Sequence, residues 1–381
     1  KEMDFSWTQE QDEIYHAILR GTQDRLNTDP VSLSQSWTRA QWRLCGEMGL
    51  PGLNLPEIVG GKGYDALTTA RAIEAFGYAC ENMGLVFSVA AHLFACATPI
   101  AEYGSETLKA NVLPGLSSGK LIGANAITER DAGSDVFALQ ARAIRDGDSY
   151  ILKGEKSYVS NGPMADVFVV YAVTNPAHGY LGISAFVLEK ETPGLIIGKP
   201  FQKMGLTSTP ACEIFFEACR VPADHRLGEE GQGARIFQHS MQWERSCLFA
   251  SYIGQMQRQL ERSLAYARER RQFGKPLGRH QAVAHRLADM KLRLEAARLL
   301  LYRACWLLDQ GKDANMEISL AKLAISEAAV QGGLDAIHIH GSQGIASEYG
   351  IEQMLRDAIP GTLFSGTAEM QRDIIAGELR L

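Results

Sequence analysis

The sequence predicts an α+β protein in which a central antiparallel β domain separates two helical parts. The N-terminal α-helical domain is expected over residues 1–121, the β domain over 122–227 and a C-terminal helical bundle over 228–381. Three observations favour this order. Apolar helical segments dominate the first part, short β-branched and aromatic runs between turn residues fill the second, and the third holds a long segment with helical spacing. A chain of 381 residues is long enough for two or three domains.

Composition narrows the classes of function. Hydrophobic residues make up 46% of the chain and charged residues 22%, as in an ordinary soluble globular protein. The net charge of −6 argues against non-specific binding to nucleic acid. We find no apolar run of about 18 residues, so no membrane span is expected, and the N-terminus lacks the apolar core of a signal peptide. The seven cysteines form no CxxC pair, which indicates reduced thiols in a cytoplasmic protein and no metal site.

The N-terminal part contains helix signals in order. Thr8 and Gln11 form a possible capping box before the first periodic segment. A loop rich in glycine and proline follows at Gly49 to Gly63. Apolar helices are expected at about residues 66–80 and 84–102.

The central part contains six short runs that favour strands: LQARAI, SYILKG, ADVFVVYAVT, ISAFVLE, LIIGKP and CEIFFEACRV, all within residues 137–221. Asp146 and Gly147 lie between the first two runs and predict a hairpin turn. Strands at this spacing without intervening helices predict an antiparallel sandwich or barrel of roughly 100 residues.

The C-terminal part begins near Gly228 and is helical. Its clearest signal is a seam of apolar residues at alternating spacings of four and three, typical of a helix packed along its length in a bundle: Val283, Leu287, Met290, Leu294, Ala297, Leu301, Ala304 and Leu308. A second helix, over 316–339, is its expected neighbour.

The stretch from Gln238 to Gln255 predicts a buried helix that begins with two charges. From Ser246 to Gly254 almost every residue is small or apolar, which is typical of a helix inside a protein. Glu244 and Arg245 precede this segment. A buried carboxylate needs a charged partner or a raised pKa, and a raised pKa suits a general base. A structural ion pair between Glu244 and Arg245 or another arginine is the competing interpretation.

Four further stretches carry polar residues in patterns that could bind a ligand. In Ala126 to Asp135, the hydroxyls of Thr128 and Ser134 flank a turn whose backbone N–H groups could meet an anionic or heterocyclic group. The other three stretches are Gly154 to Gly162, Arg268 to Gln281 and Gly341 to Thr367. The arginines in Arg268 to Gln281 could hold a phosphate. Taken singly, a polar loop, an edge strand or a solvated basic helix end explains each of them.

In this order and at these separations the four stretches resemble the acyl-CoA dehydrogenase family over nearly the whole chain. AITERDAGSD, ARERRQFGKPLGRHQ and RDAIPGTLFSGTAEMQRDIIA each match a family block. The resemblance implies a C-terminal four-helix bundle behind the β domain. It also implies FAD, held without a covalent bond between the β domain and the bundles of neighbouring subunits in a homodimer or homotetramer.

The resemblance also implies which residues bind FAD. Those near the isoalloxazine would be Asn125, Ile127, Thr128, Ser134, Tyr158, Val159 and Ser160, with Tyr158 where many members have tryptophan. Those near the pyrophosphate and adenosine of a neighbouring subunit would be Arg270, Gln272, Phe273, His280, Gln281, His338, Gly341 and Ser342, with His338 replacing a common glutamine. Thr367 and Glu369 would complete the site.

The chain departs from the family at the catalytic position. Most members place the catalytic glutamate directly before the Gly-Thr pair, where this chain has Ser365. A serine cannot remove an α-proton unaided at neutral pH. Some members carry the base on the buried bundle helix, and Glu244 aligns with that position, so Glu244 is the expected base. Substrate contacts are expected from Ser134, Arg245, Ser365 and Gly366.

Within the family the combination MQWERSCLFASYIGQM, LRLEAARLLLYRACW and LFSGT looks like the prolyl-carrier-protein dehydrogenases or oxidases of secondary metabolism. This implies a proline thioester on an acyl or peptidyl carrier protein as substrate, and a flavoprotein or oxygen as electron acceptor. Two alternatives stay open. One is an acyl-CoA dehydrogenase with a displaced base that acts on a small acyl-CoA, and the other is a flavin-binding scaffold without catalysis.

Overall fold

The N-terminal helices surround a long buried segment. In the computed structural model, residues 6–27 and 36–381 are described, so parts of the predicted N-terminal domain, 1–5 and 28–35, lie outside the described residues. The helices are α1 (Gln9–Arg25), α2 (Arg39–Glu47), α3 (Ala66–Ala79), α4 (Met83–His92), α5 (Thr98–Tyr103) and α6 (Glu106–Ser117). The capping box is confirmed, because Thr8 Oγ1 accepts from the Gln11 N–H at 3.2 Å and the Gln11 side chain accepts from the Thr8 N–H at 3.1 Å.

The segment Met83–Tyr103, continuous through a π turn at Leu93–Ala97, corrects one expectation from composition. It is long and apolar enough to cross a membrane, with a mean hydropathy of 1.7 over its most apolar window, although we expected no such run. The interior of the protein accounts for this composition, since 94% of that window is buried.

The central domain is a mixed sheet, which corrects the purely antiparallel expectation. Its strands are β1 (Gly123–Ala126), β2 (Arg142–Asp146), β3 (Ser149–Ser160), β4 (Val167–Val173), β5 (Ile183–Glu189), β6 (Leu195–Ile197), β7 (Ala211–Pro222) and β8 (Arg226–Leu227). The order is β6-β7-β3-β2-β4-β5-β8, and β1 pairs with β4. Both β1 and β2 run parallel to β4. The sequence GANA of β1 has no β-branched residue, so the parallel partner gave no strand signal.

The two faces of strand β4 pack in two different hydrophobic cores. Its residues alternate, so that Val169 and Tyr171 pack in the large core of the helices, whereas Phe168 and Val170 pack inside the β domain. The predicted hairpin between β2 and β3 is confirmed, with Asp146 opposite Ser149 and a positive φ of 60° at Gly147.

The C-terminal part is an assembly of long helices. It comprises α7 (Gly233–Trp243), α8 (Ala250–Glu269), the two-residue strands β9 (Arg271–Gln272) and β10 (Lys275–Pro276), α9 (Gln281–Asp309), α10 (Asn315–His340), α11 (Ser342–Ile345), α12 (Ile351–Ala358) and α13 (Ala368–Glu378). The predicted seam is confirmed on α9, where six of its eight residues are buried: Leu287, Met290, Leu294, Ala297, Leu301 and Ala304. The neighbouring helix expected over 316–339 is α10.

Candidate active site

Glu244 lies at a break in a buried helix. Between α7 and α8 the chain forms a π turn at Glu244–Leu248. Such a turn inserts an extra residue into a helix and changes the direction of the side chains that follow. Glu244 is 8% exposed, and Cys247, Leu248 and Phe249 behind it are fully buried, as predicted for this stretch.

The side chain of Glu244 meets the turn that carries Ser365. The Ser365 hydroxyl donates a hydrogen bond to Glu244 Oε1. Arg245 Nε donates to the Ser365 carbonyl oxygen at 2.8 Å. Within residues 6–27 and 36–381, no ion pair within 4 Å joins Glu244 to Arg245 or to another arginine, so the structural ion pair that competed with the interpretation as a base does not form.

The turn after Ser365 is held from two other helices. Gln371 Nε2 on α13 donates to the Gly366 carbonyl oxygen at 3.1 Å. Lys322 Nζ on α10 donates to the same oxygen at 2.7 Å. Sequence reasoning missed Lys322, although one charged residue inside the apolar run ISLAKLAI was a usable signal.

Burial and charge act in opposite directions on Glu244. Burial raises the pKa of the Glu244 carboxyl, while the Ser365 hydroxyl and the charges of Arg245 and Lys322 favour its ionised form and reduce that rise. Burial also lowers the pKa of Arg245. For Lys322, burial and the repulsion of Arg245 lower the pKa to about 7. A buried carboxylate with a raised pKa is suited to act as a general base.

Aromatic rings close the site on the side of Phe364. Its ring lies 4.8 Å from that of Phe87 on α4 and 5.2 Å from that of Phe249, the residue directly before α8, measured between centroids. Trp243, directly before Glu244, stacks on Phe94 at 6.2 Å. These apolar walls reduce the water around the carboxylate, which strengthens electrostatic interactions within the site.

The predicted residues of the β domain form a second group. The Ser157 N–H donates to the Thr128 carbonyl oxygen at 2.8 Å, and Lys156 Nζ donates to the Ile127 carbonyl oxygen at 3.0 Å. Lys156 also pairs with Glu129 at 2.7 Å, with both side chains buried. This internal pair, which sequence reasoning missed, fixes the loop after β1 against β3.

Exposure differs among the predicted residues of this group. Val159 is buried and Ser160 is half-buried, whereas Tyr158 is 68% exposed, with a positive φ of 57°. Ser134 is exposed. The Asn125 side-chain oxygen is buried and accepts no hydrogen bond from the described residues. An orphaned buried acceptor of this kind is suited to a ligand that brings a donor.

Helix α4 brings the two groups together. Phe87 contacts Phe364, the neighbour of Ser365. The carbonyl oxygen of the next residue, Ser88, accepts from Asn161 Nδ2 at 2.9 Å, and Asn161 follows Ser160. The residue before Ser365 and the residue after β3 therefore both contact the middle of helix α4.

The predicted basic stretch forms an exposed hairpin at the end of α8. Arg270, Gln272 and Phe273 are exposed, Phe273 by 94%. His280 Nε2 lies 3.1 Å from the Gln272 carbonyl oxygen, and Gln281 begins α9 on the surface. The side chains of Arg270 and Phe273 are thus accessible to a partner, whereas the guanidinium of Arg271 donates to the Gly274 carbonyl oxygen within the hairpin.

The end of α10 lies beside the end of α8. The rings of Tyr266 and His340 stack with centroids 4.4 Å apart, four residues before Arg270. His338, Gly341 and Ser342 are exposed at this end. The structure thus brings both predicted pyrophosphate and adenosine groups to one end of the bundle.

The last predicted residues follow the Ser365–Gly366 turn along the chain. Thr367 caps α13, because its hydroxyl accepts from the Met370 N–H at 3.2 Å. Glu369 is exposed in the first turn of that helix. The Gln371 side-chain oxygen is buried and accepts no hydrogen bond from the residues that the structure describes.

Comparison with known families covers the whole chain. Models of the acyl-CoA dehydrogenase N-terminal, middle and C-terminal domains match residues 8–120, 124–219 and 231–379. An L-prolyl-[peptidyl-carrier protein] dehydrogenase of Pseudomonas fluorescens is 52% identical over 380 residues, which cover 100% of both chains. One of Serratia sp. is 46% identical over 381 residues, which cover 100% of this chain and 99% of that protein.

Solved structures agree with these relatives. The FAD complex of PigA superposes with a TM-score of 0.97 at 45% identity and full coverage of both chains. The prolyl acyl carrier protein oxidase AnaB superposes with a TM-score of 0.96 at 43% identity, covering 99% of this chain and 100% of that one.

Proposed function

The chain belongs to the acyl-CoA dehydrogenase family, and we propose that it is an FAD-dependent dehydrogenase or oxidase of a prolyl thioester carried on an acyl or peptidyl carrier protein. Relatives at 52% and 46% identity over the full chain act on such a thioester. A role in secondary metabolism is part of the proposal.

The hydrogen bond between Ser365 and Glu244 carries this proposal. It joins the position where most family members have their base to the carboxylate that replaces it. The thioester carbonyl acidifies the proline Cα–H, and Glu244 takes that proton. Bound FAD supplies the acceptor for the hydride that leaves the neighbouring atom. Glu244 then holds the proton at one carboxylate oxygen. The electron pair of the broken Cα–H bond forms the new double bond, and the hydride leaves with the electron pair of its own bond.

The residues present fit FAD. The orphaned side-chain oxygens of Asn125 and Gln371 lie beside the loop after β1 and beside the Thr367 cap, where each would accept from the cofactor. The exposed Tyr158 offers an aromatic plane. The arginines at the end of α8 offer bidentate donors to a pyrophosphate.

We further propose that the enzyme works as a homodimer or homotetramer in the cytoplasm. The basic hairpin is exposed, so its arginines are accessible to a cofactor held partly by a second copy. Seven free, buried cysteines suit a reducing compartment. A flavoprotein or oxygen would reoxidise the cofactor.

Mass spectrometry of prolyl-carrier protein after incubation with the enzyme tests the substrate. We expect a loss of two or four hydrogens. We expect Glu244→Gln to reduce the flavin at least about 100-fold more slowly, because a positioned base contributes about that much. Glu106→Gln, which changes an exposed carboxylate, is the matched control.

Two results would contradict the proposal. Flavin bleaching by a short acyl-CoA but not by prolyl-carrier protein would favour an acyl-CoA dehydrogenase with a displaced base. Purified protein that takes up FAD and is bleached by neither would favour a scaffold.

A further inference from the structure

Lys322 is a charged residue at a place where a neutral one would fold more easily. It lies on α10 between Ala321 and Ile325, and its side chain is fully buried. The ring of Phe249 lies 5.2 Å from its ammonium nitrogen. Removing an ammonium group from water is costly, and methionine would fill the same volume without that cost. The charge therefore needs an explanation beyond packing.

Among the described residues, Lys322 donates a hydrogen bond to one carbonyl oxygen, which belongs to the Ser365–Gly366 turn. Its Nζ donates to the Gly366 oxygen at 2.7 Å. Arg245 donates to the Ser365 oxygen and Gln371 to the Gly366 oxygen, so donors from three elements converge on two adjacent carbonyls. Both backbone units have positive φ, 56° at Ser365 and 87° at Gly366.

A serine with positive φ is strained and persists only where its surroundings hold it. This backbone conformation directs the Ser365 hydroxyl towards Glu244 Oε1, to which it donates a hydrogen bond. Loss of the Lys322 contact would leave the Gly366 carbonyl oxygen with the longer hydrogen bond from Gln371, at 3.1 Å. The hydroxyl of Ser365 would lose its fixed position as a result.

We propose that Lys322 is a positioning residue for Glu244, which holds the Ser365–Gly366 turn in place and whose charge favours the ionised carboxylate that removes the proton. This inference rests on the proposed function, because it assigns Lys322 to the same site. Lys322 itself touches neither the substrate nor the reacting atoms.

The charged groups around this pair are few. Arg245 and Lys322 both favour ionised Glu244, and the buried phenol of Tyr171 on β4 lies within its electrostatic range. The charge of Arg245 disfavours the protonated form of Lys322, whereas the charges of Glu369 on α13 and of Glu244 favour it. Removing the Lys322 charge leaves Arg245 as the remaining cation, so the pKa of Glu244 should rise.

The test compares Lys322→Met, Lys322→Arg and the exposed control Lys120→Met across pH. The readout is the rate of flavin bleaching at saturating prolyl-carrier protein. We expect Lys322→Met to be at least about tenfold slower at pH 7, with the rising limb of its profile about one pH unit higher. Lys322→Arg keeps the charge and should restore the midpoint. If deprotonation of Lys322 lowers the rate of the parent above about pH 7, this decrease should be absent in Lys322→Arg, because arginine stays protonated there.

A slow Lys322→Met enzyme with the midpoint of the parent would overturn the inference, because a merely structural role lowers the rate without moving a pKa. A second readout needs no turnover. The infrared C=O band of protonated Glu244, identified by its loss in Glu244→Gln, should titrate at higher pH in Lys322→Met than in Lys322→Arg. An unchanged band contradicts the role of Lys322, whereas absence of bleaching in the parent contradicts the proposed function alone.

Discussion

Ser365 has a role even though it cannot be the base. Its hydroxyl donates to Glu244 and its carbonyl accepts from Arg245 at 2.8 Å, so it connects the two residues that begin the buried helix. A hydrogen bond to an ionised carboxylate stabilises the charged form and lowers the pKa. Burial acts in the opposite direction, and its effect on the pKa of Glu244 is the larger. The serine thus limits how basic the carboxylate becomes.

We expect Ser365→Ala to shift the rising limb of the rate of flavin bleaching to higher pH, because the carboxylate loses a donor that favours its charge. The rate below the midpoint should fall about tenfold, as one unit of pKa corresponds to that factor. Ser365→Gly is the matched variant, since it also lacks the hydroxyl but accepts the φ of 56° without strain. If Ser365→Gly matches the parent while Ser365→Ala does not, the backbone and not the hydroxyl is responsible.

At this scale the sequence predicted the carboxylate but not its partners. Glu244 is visible because a charge before nine nearly apolar residues is unusual. Its hydrogen-bond partner is 121 positions away along the chain, and nothing local indicates that contact. Lys322 lies in a helix whose pattern is explained by packing alone, so its charge was passed over.

At the scale of elements, a close helix crossing sets the position of Glu244. Helix α8 continues from the π turn and crosses α3 at two glycines. A Cβ on Gly254 would overlap the Glu74 carbonyl oxygen and the Tyr78 nitrogen, and one on Gly77 would overlap the Ser251 carbonyl oxygen. Only glycine allows the two backbones to approach this closely.

We expect Gly254→Ala to push α8 from α3 and to lower the free energy of unfolding by about 1–3 kcal/mol, as overpacking does. Glu244 is ten residues away on the same helical segment, so flavin reduction should slow as well. Gly377→Ala is the control, because a Cβ there meets nothing within 4 Å. Equal melting temperatures for the two variants would show that the crossing tolerates a methyl group.

The sequence predicted regular elements better than their interruptions. The seam of α9 was visible because its spacing continues over the whole helix. The π turn at Glu244–Leu248 adds one residue to a segment that is apolar on all sides, so no change of phase marks it. The four residues of β1 are too few and too rich in alanine to show a full strand pattern.

At the scale of the molecule, Asp357 ties the C-terminal helices to the β domain. Its carboxylate accepts from the Leu206 N–H at 2.6 Å and from Gln353 Nε2 at 2.8 Å. Burial raises the pKa of Asp357 to about 6. A raised pKa in the folded state means that this group contributes stability below its unfolded pKa, which is lost as pH rises through about 6. The ionised Asp357 carboxylate therefore holds the Leu206 backbone in place but lowers the free energy of unfolding at neutral pH.

The exposed hairpin at the end of α8 should be required for assembly and for FAD retention. Phe273 is 94% exposed at its tip, and Arg271 Nη2 braces the hairpin by donating to the Gly274 carbonyl oxygen at 2.8 Å. An exposed phenyl ring stabilises the protein only when a second surface covers it and removes it from water. We expect Phe273→Ser to sediment as a smaller species and to lose FAD on gel filtration. Ile58→Ser is the control, because Ile58 is 93% exposed outside the bundle. A Phe273→Ser protein that sediments like the parent and keeps its flavin would contradict a cofactor site shared between copies.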